Sequence, residues 1–271
     1  VELNQPLARY AQQMDIDLVV VALDDKRNQT PIDELVETRL NGVAVIDLIN
    51  FFEQEAGKIL VDFVSSGWLV YARGFSRGNS SKLAKRCFDI TTSFSLLMAT
   101  WPIMLATVIA IWLEDGFRAP VLFKQSRVGL NGEHFAVLKF RSMTVDAEGD
   151  GKARWATTND TRITKVGNFI RRVRIDELPQ IINVLSGDMA FIGPRPERPQ
   201  FVKELVEKIP YYDVRHGVKP GITGWAQLCY PYGASVDDAR QKLQFDLYYV
   251  KNNNLFLDFM ILLNTVEVVL F

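Results

Sequence analysis

A run of 24 residues without a charged side chain, at positions 90–113, is the feature that most limits how this chain folds. As an α-helix the run would measure about 36 Å, which exceeds the roughly 30 Å hydrocarbon core of a bilayer. Soluble proteins seldom use uncharged runs longer than about 18 residues as core helices. The length therefore predicts a membrane segment, with a buried core helix as the alternative.

Pro102 lies almost at the centre of this run, where it removes a backbone hydrogen bond and clashes with the preceding turn. Basic side chains flank the run on both sides, and the positive-inside tendency places both ends on the cytoplasmic side. The flanking cations are Arg73, Arg77, Lys82, Lys85, Arg86, Arg118, Lys124 and Arg127. These signals predict a re-entrant helix at residues 87–113, which enters the membrane, breaks at Pro102 and returns. Thr100 and other hydroxyl residues are the expected partners for the freed backbone groups. A spanning helix with a proline kink is the alternative.

The charged residues are distributed unevenly. The whole chain has a net charge of −1, which does not indicate a nucleic-acid-binding protein. Residues 1–80 carry seven Lys/Arg and twelve Asp/Glu, whereas residues 81–271 carry 24 and 20, so anionic ligands are expected on the second part.

Two distant cysteines and two histidines give no disulfide framework, zinc-site spacing or His-rich centre.

Residues 1–75 alternate between strand-like and helix-like patterns. Residues 16–23 and 42–46 are typical of buried strands, and residues 31–40 and 48–55 are typical of helices. This alternation predicts part of a parallel-sheet domain. The segment contains no G-x-G-x-x-G sequence, so no dinucleotide site is indicated, and residues 24–25 are interpreted as a solvated turn. Residues 76–86 predict a linker.

Two short strands, at residues 120–123 and 135–140, are predicted around a turn at residues 129–132. The second strand contains Lys139 near its end. Five cations follow between Asp160 and Asp176 with no acid among them: Arg162, Lys165, Arg171, Arg172 and Arg174. This run is either a positive field beside carboxylates or a solvated helix face.

Asp176 and Glu177 precede a proline by two or three positions. Because proline is tolerated only in the first turn of a helix, Pro179 predicts a helix that begins near Asp176 and includes residues 180–185. A carboxylate at this position has a lowered pKa, and the same backbone N–H groups attract phosphate. An ordinary aspartate N-cap explains the position equally well.

Two later loops have restricted or permissive backbones. Prolines on both sides of Arg195 hold its loop stiff, which suits a guanidinium that binds phosphate, although a surface turn is the simpler interpretation. Residues 219–225 combine a cation, two glycines and an aromatic ring. Such a loop lets a ligand approach the backbone, or is only a turn.

Several passages occur in the order found in a known family: KRCFDI, FKQSRVG, LKFRSM, RIDELPQIINVLSGDM, FIGPRPERP, RHGVKPGITGWAQ and FDLYYVKN. By these passages the chain resembles the bacterial sugar transferases, which are monotopic polyprenyl-phosphate phosphoglycosyl transferases that initiate exopolysaccharide or O-antigen repeat units. The resemblance implies an α/β fold with a partial Rossmann-like accessory domain at residues 1–75. The linker, the re-entrant helix and a catalytic transferase domain at residues 114–271 follow it.

The resemblance also implies a reaction. The family transfers a sugar 1-phosphate from a UDP-sugar to undecaprenyl phosphate and releases UMP at the cytoplasmic face of the bacterial inner membrane. In its ping-pong cycle with Mg²⁺ the aspartate of the Asp-Glu pair becomes phosphosugar-linked, which by motif match makes Asp176 the nucleophile and a metal ligand, with Glu177 as its partner. Substrate phosphate or nucleotide binding and site organisation fall to Lys139, Arg171, Arg195 and Asp246. A carboxylate can attack phosphorus once cations reduce the repulsion.

The sequence departs from the family pattern at two places. Trp101 precedes Pro102 where relatives usually have serine. Residues 228–233 replace an Asn-Gly-Arg type of sequence, so either sugar recognition or the role of an arginine is expected to differ there. Residues 255–271 predict either an amphipathic helix in the membrane interface or a helix packed on the core.

Other hypotheses remain open. The chain begins at Val1 without a signal pattern, and we expect that it lacks the N-terminal transmembrane bundle of the family's large members. A non-catalytic module that binds anionic membrane lipid, with Asp176 only as a helix cap, is the rival function. Direct displacement with Glu177 as base is a further alternative. The sequence decides neither the sugar, for which a UDP-hexose is expected, nor whether the accessory domain supports a homo-oligomer.

Overall fold

The computed structural model describes residues 5–22, 31–64, 66–72, 74, 78–144, 162–231, 233 and 235–270. The chain forms two compact units, Val1–Ala72 and Arg73–Phe271. Residues 24–25, interpreted from the sequence as a turn, lie outside the described residues, as does Asp160 at the start of the basic run.

The first unit is a small α/β unit. Its elements are α1 (Leu7–Gln13), β1 (Leu18–Val21), α2 (Ile32–Leu40), β2 (Ala44–Asp47), α3 (Leu48–Ala56), a 3₁₀ turn (Val61–Phe63) and α4 (Ser66–Tyr71). The strands β1 and β2 pair in parallel, with Leu18 opposite Ala44. The parallel pairing and the helix between the strands were predicted. The larger Rossmann-like sheet stays a prediction, because β1 and β2 form a two-stranded sheet in the described residues.

The second unit begins with a helix of 37 residues, α5 (Asn79–Asp115), which contains the uncharged run. It is the helix, among the described residues, that is long and apolar enough to cross a membrane, and only 11% of its most apolar window is buried. Large apolar side chains are exposed along it, including Phe94, Met98, Trp101, Leu105 and Ile109. The helix begins inside residues 76–86, for which the sequence predicted a linker.

α5 continues through Pro102, where the sequence predicted a break. Proline removes only one hydrogen-bond donor, so a helix can continue on either side of it. The hydroxyl of Thr100 donates to the Leu96 carbonyl oxygen at 2.7 Å, and that of Thr107 donates to Ile103 at 2.8 Å. Such hydroxyl contacts to the carbonyl four residues back often bend helices.

Both ends of α5 are attached to the rest of the second unit. Near the N-terminal end, Asp89 accepts a hydrogen bond from the backbone N–H of Phe191 at 3.0 Å. At the C-terminal end, the carboxylate of Glu114 accepts from the N–H groups of Lys165 and Val166, the first residues of the next helix. The two ends therefore contact one folded unit, while the apolar middle is exposed.

An antiparallel hairpin follows, formed by β3 (Leu122–Val128) and β4 (His134–Phe140). The predicted turn lies between them, where Asn131 has a φ of 54° and Gly132 has a φ of 81°. β3 begins two residues later than predicted and ends at Val128, because its pairing with β4 extends to Val128 opposite His134.

The remaining elements surround the end of this hairpin. They are α6 (Lys165–Arg172), a 3₁₀ turn (Ile175–Glu177), α7 (Gln180–Ser186), β5 (Ala190–Ile192), α8 (Pro199–Lys208), a 3₁₀ turn (Tyr212–Gly217), β6 (Gly221–Thr223), α9 (Trp225–Cys229), α10 (Val236–Asn252) and α11 (Leu255–Leu270). One core cluster joins β4, α7, β5, α10 and α11 through Val137, Val184, Met189, Phe191, Ile192, Tyr249 and Ile261. A second cluster packs Ile111 of α5 against Phe140 and Ile170.

For helix α11 the sequence allowed either packing on the core or a position in the membrane interface. Its inner face includes Ile261 and Asp258, both fully buried, so the helix packs on the core. Its outer face exposes Leu255, Phe256, Phe259, Met260, Leu263 and Val266. An interfacial position of this outer face stays a prediction.

The parallel strands β5 and β6 approach each other closely because of their glycines. Ala190 lies opposite Gly221, and Ile192 lies opposite Thr223. A Cβ atom at Gly221 would collide with the backbone of Gly193, and one at Gly224 would collide with the Gly193 carbonyl oxygen. The glycines of residues 219–225 therefore allow two chain segments to pack, which the sequence had suggested as an approach path for a ligand.

We predict that Gly221→Ala destabilises the second unit, because the added methyl group meets backbone atoms that cannot rotate away. Overpacking of this kind costs about 1–3 kcal/mol, which corresponds to a fall in Tm of several degrees for a unit of this size. Thermal unfolding in detergent micelles measures the change. Gly78→Ala is the matched control, because its φ is negative and, apart from its chain neighbours, no described residue has an atom within 4 Å of the position that the added methyl group would take. Equal Tm values for the two variants would contradict the packing argument.

Candidate active site

Asp176 and Glu177 lie in a helical turn that leads into α7. Arg174 adopts a left-handed conformation, with φ of 60°, and the 3₁₀ turn Ile175–Glu177 follows it directly. Pro179 has a φ of −60° and immediately precedes α7, as its restricted ring requires. The helical backbone therefore begins within one residue of the predicted position.

Asp176 does not cap this helix. Neither the 3₁₀ turn nor α7 has a side-chain cap, and the Asp176 carboxylate makes no hydrogen bond or ion pair with any residue of the described parts of the chain. The residue is nonetheless buried, since only 8% of its surface is exposed. The interpretation of Asp176 as an ordinary N-cap is therefore wrong.

Glu177 has the opposite environment. Its Oε1 atom lies 3.0 Å from the Lys139 ammonium and 2.6 Å from Nη2 of Arg195, and its Oε2 atom accepts from Nη1 of Arg195 at 3.2 Å. Burial raises the pKa of the Glu177 carboxyl, but Arg195 and Lys139 outweigh it and hold that pKa far below its usual range. Glu177 is therefore a fixed anion between two cations.

The charge of Asp176 is less well balanced. Burial raises the pKa of Asp176, and the neighbouring charge of Glu177 raises it further, whereas Lys139, Arg171 and Arg174 lower it. The net shift is upward, so the lowered pKa expected for a carboxylate at this helix start is wrong, because Asp176 is buried and caps no helix in the described residues. Because the Arg171 side chain is half-buried and makes no hydrogen bond or ion pair within the described residues, it acts on Asp176 through its field rather than by contact.

Lys139 reaches Glu177 because α7 is fixed to strand β4. Asn183 of α7 accepts from the N–H of Leu138 at 2.9 Å and donates to the carbonyl oxygen of Ala136 at 2.8 Å. This side chain is buried and bridges Ala136 and Leu138, of which Leu138 directly precedes Lys139. Asn183 was not predicted from the sequence, although an amide at an interior position of an otherwise apolar helix was a signal for it.

The loop that carries Arg195 is held from behind by a second buried ion pair. Arg215 donates through Nε to Asp246 at 3.0 Å, and its Nη2 lies 2.7 Å from the same oxygen. Nη2 also donates to the carbonyl oxygen of Arg195 at 2.9 Å, and Nη1 donates to the Tyr212 hydroxyl. Asp246 therefore contacts Arg215 and neither Asp176 nor Glu177. Through Arg215 it organises the loop that carries Arg195.

Arg215 was also not predicted from the sequence. It lies in the passage RHGVKPGITGWAQ, but a single arginine in a polar passage gives no sign that it is buried. Lys219, in the same passage, donates to the carbonyl oxygen of Gly187 at the end of α7 and does not reach the carboxylates. The structure thus brings Lys139, Arg195, Asp176 and Glu177 together. Arg171 lies near them, and Asp246 is linked to Arg195 through Arg215.

The described residues contain no group of three or more His, Cys, Asp or Glu side chains that could hold a metal ion. Mg²⁺ commonly binds to one or two protein carboxylates and completes its shell with water and substrate phosphates. Asp176 offers such a carboxylate because its oxygens have no partner within the described chain, whereas those of Glu177 are bound by cations. The residues fit an ion held mainly by a diphosphate and Asp176.

The candidate site is thus a buried carboxylate without a partner in the described chain, beside several cations, in a unit that also contains a long apolar helix. The family model for bacterial sugar transferases matches residues 80–271, and the chain belongs to that family. The match begins within α5 and includes every residue of the site.

Curated proteins of several bacteria are similar over the same region. A UDP-N-acetylgalactosamine-undecaprenyl-phosphate N-acetylgalactosaminephosphotransferase of Aeromonas hydrophila is 47% identical over 186 residues, which cover 69% of this chain and 43% of that protein. A UDP-glucose:undecaprenyl-phosphate glucose-1-phosphate transferase of Xanthomonas campestris is 40% identical over 220 residues, covering 80% and 44%. The uncharacterised sugar transferase EpsL of Bacillus subtilis is 42% identical over 188 residues, covering 69% and 88%. The matched region is thus less than half of each of the first two relatives.

We predict opposite changes in stability for neutral replacements of the two carboxylates. A raised pKa means that the folded state binds the Asp176 proton more tightly than the unfolded chain, so its stability contribution falls as pH rises above 3.8. Asp176→Asn should therefore raise Tm at pH 7 and lose this gain as pH approaches 4.

Glu177→Gln should lower Tm at pH 7, because the lowered pKa of Glu177 stabilises the fold above pH 4.5, and this contribution disappears as pH falls below that value. Removal of one partner from a buried ion pair costs on the order of 3 kcal/mol. Thermal unfolding of both variants between about pH 3 and 8 measures these effects. A Tm loss in Asp176→Asn at pH 7 would show that the cations around Asp176 outweigh its burial.

Proposed function

We propose that this chain transfers a sugar 1-phosphate from a UDP-sugar to undecaprenyl phosphate and releases UMP, with Asp176 as the nucleophile. The observation that carries the proposal is the contrast between two adjacent carboxylates. Glu177 is held by Lys139 and Arg195, whereas Asp176 is buried beside cations and has no partner within the described chain. An anion in this state is available for attack on phosphorus.

The proposed cycle has two displacements at one phosphorus atom. A carboxylate oxygen of Asp176 attacks the phosphorus that bears the sugar, and the bond from that phosphorus to the bridging oxygen breaks, so UMP leaves with the electron pair. A phosphate oxygen of undecaprenyl phosphate then attacks the same phosphorus and displaces the carboxylate. The product is a sugar diphosphate lipid, and Asp176 returns to its starting state. The first product leaves before the lipid reacts, so no ternary complex is needed.

The charges of the site support an anionic substrate. Asp176 and Glu177 lie beside Lys139, Arg195, Arg171 and Arg174, so cations outnumber carboxylates by two. One-third of the Arg195 side chain remains exposed while it contacts Glu177, and a guanidinium is well suited to bind phosphate. Lys139 and Arg195 therefore have two roles, which are to hold Glu177 and to attract the diphosphate.

Bound Mg²⁺ would neutralise phosphate charge and stabilise the leaving UMP. Asp176 is the residue of the described chain that would hold such an ion together with the diphosphate oxygens. Within the site itself, Arg171 and Arg174 keep a positive field on Asp176 and so favour its ionised form against burial.

Neither rival interpretation fits the site as well. A lipid-binding module without catalysis required Asp176 to be a helix cap, and Asp176 caps no helix in the described residues. Direct displacement required Glu177 to be a base. A carboxylate whose pKa is lowered by two ion pairs is a weak base, because protonation would break both pairs.

The membrane helix supports the choice of a lipid acceptor. Because both ends of α5 contact the second unit, we place them on the same side of a bilayer, with the exposed apolar middle entering it without crossing. The phosphate of undecaprenyl phosphate lies at the headgroup level, which would be the level of the docked helix ends. We place the site at the cytoplasmic face of the bacterial inner membrane.

We predict that the protein forms a covalent adduct with its donor alone. Incubation with UDP-glucose, UDP-galactose or UDP-N-acetylgalactosamine and Mg²⁺, without lipid, should add one sugar phosphate to Asp176, as intact-mass and peptide mass spectrometry detect. Asp176→Asn should abolish both the adduct and UMP release, since an amide is a poor nucleophile, and should leave membrane binding unchanged. An adduct on a different residue, or UMP release by Asp176→Asn, would exclude Asp176 as the nucleophile.

We predict that the two ends of α5 are accessible from one side of the membrane. Single cysteines at Lys82 and Arg118, which are both exposed, should react with an impermeant maleimide from the same side of sealed vesicles. The parent protein for this test has Cys87 and Cys229 replaced by serine. Labelling of the two positions from opposite sides would instead establish a spanning helix.

A further inference from the structure

The first turns of α5 contact the strand that leads to Arg195. Lys85 donates from its ammonium to the carbonyl oxygen of Ile192, at 3.2 Å, and Asp89 accepts from the N–H of Phe191, at 3.0 Å. Ile192 is the last residue of β5, and Arg195 follows three residues later. One side of α5 thus binds both backbone groups at the end of this strand.

Lys85 is the cation of a buried polar cluster. Its ammonium lies 3.0 Å from Oδ1 of Asp89 and 3.1 Å from Oδ2 of Asp258, which lies on α11. The hydroxyl of Tyr249, on α10, lies 2.7 Å from Oδ1 of Asp258 and 2.9 Å from the Ile192 carbonyl oxygen. Asp89, Asp258 and Tyr249 are each at most 3% exposed. Two carboxylates and one carbonyl therefore share a single ammonium.

Arg86, the residue after Lys85, fixes α7, which is the helix that follows Asp176 and Glu177. Arg86 donates through Nη1 to the carbonyl oxygen of Val184 at 2.6 Å and through Nη2 to that of Leu185 at 2.7 Å. These carbonyls belong to the last turn of α7, and that of Val184 also accepts from the N–H of Gly187 at 3.1 Å. The first turn of the same helix adjoins Asp176 and Glu177.

We propose that Lys85 is a positioning residue for Arg195, and that the Lys85–Asp89 turn of the membrane helix sets the separation between Arg195 and the two carboxylates. The proposal rests on the function proposed above and adds to it a role for the membrane helix inside the site. Lys85 holds β5 and Arg86 holds α7, so two neighbouring side chains of one rigid helix fix both halves of the site.

The separation matters because Arg195 binds Glu177 and, in the function proposed above, also attracts the donor diphosphate. A displacement of about 1 Å in a reacting geometry can lower a rate by about 100-fold. Loss of the Lys85 ammonium would leave Asp89, Asp258 and the Ile192 carbonyl without their shared cation, so the end of β5 would shift. Arg195 would then move relative to Glu177, while the turn Ile175–Glu177 would keep its position.

The first test compares two lysines of the same helix. Lys85→Met keeps the aliphatic stem and removes the ammonium, and it should lower kcat for UMP release by about tenfold or more with a change in donor KM of less than about threefold. Lys82→Met removes an equal charge three residues away, at an exposed position whose side chain makes no hydrogen bond or ion pair in the described chain. It should leave kcat unchanged. Asp258→Asn, which keeps an acceptor for Tyr249, should reproduce part of the Lys85→Met effect.

A double-mutant cycle separates positioning from simple destabilisation. In an Arg195→Ala background, Lys85→Met should lower the rate by less than about twofold, because the residue through which it acts is already absent. A general loss of folded protein would instead reduce the rate by the same factor in both backgrounds. Additive effects of the two substitutions would overturn the proposal.

Hydrogen–deuterium exchange gives a measurement that does not depend on turnover. The peptide covering residues 189–197 should exchange several-fold faster in Lys85→Met than in Lys82→Met, while peptides of α10 exchange alike. Equal exchange of residues 189–197 in the two variants would overturn the proposal. If the native protein releases no UMP from any donor, the proposed function fails, and the exchange experiment still decides whether Lys85 holds the Arg195 strand.

Discussion

The contact between Glu177 and its two cations determines how the rest of the site behaves. Lys139 comes from β4 and Arg195 comes from the loop after β5, so their meeting at one carboxylate requires that both segments be fixed against α7. Loss of one partner from a buried ion pair costs several kcal/mol, because the remaining charge stays desolvated. The cluster is therefore stable only as a complete set, and the surrounding structure holds each member separately.

Each member of that set has its own backbone support. Asn183 fixes β4 to α7 just before Lys139, and Arg215 with Asp246 fixes the carbonyl oxygen of Arg195. Because these supports act on backbone groups, they place the cations without using their charged ends. The guanidinium and ammonium groups remain directed at Glu177, and Asp176 next to it receives the field of the surrounding cations without direct contact. This arrangement leaves one carboxylate fixed and its neighbour available for chemistry, at some cost in stability.

The sequence predicted local structure well where one residue type dictates the backbone. Pro179 placed the start of α7, and the residues around Asn131 placed the hairpin turn, because proline and left-handed turn positions restrict φ directly. The sequence did not predict the partners of the charged residues. Arg215 and Arg171 look alike in a polar passage, yet one is buried against Asp246 and the other is half-buried, and that difference arises only from tertiary packing.

The linker prediction for residues 76–86 shows the same limit. Gly, Ser and basic residues before an apolar run are typical of a flexible, solvated segment, and the composition alone gives no sign that Lys85 and Arg86 donate to specific carbonyl groups. Those carbonyls, of Ile192 and Val184, lie about one hundred positions further along the chain. Contacts at such separation depend on the fold of the whole unit, so no local pattern reveals them.

The contacts at the two ends of α5 explain why the uncharged run starts and stops where it does. The run starts directly after Asp89, which binds the backbone of β5, and stops directly before Glu114, which binds the first residues of α6. The two charged side chains that border the run are therefore both bound by protein groups, and the exposed apolar middle between them carries no charge. A charge in the exposed middle would lack both protein partners and water if that region lies in lipid. The helix is thus suited to be an anchor in its middle and part of the active-site framework at both ends.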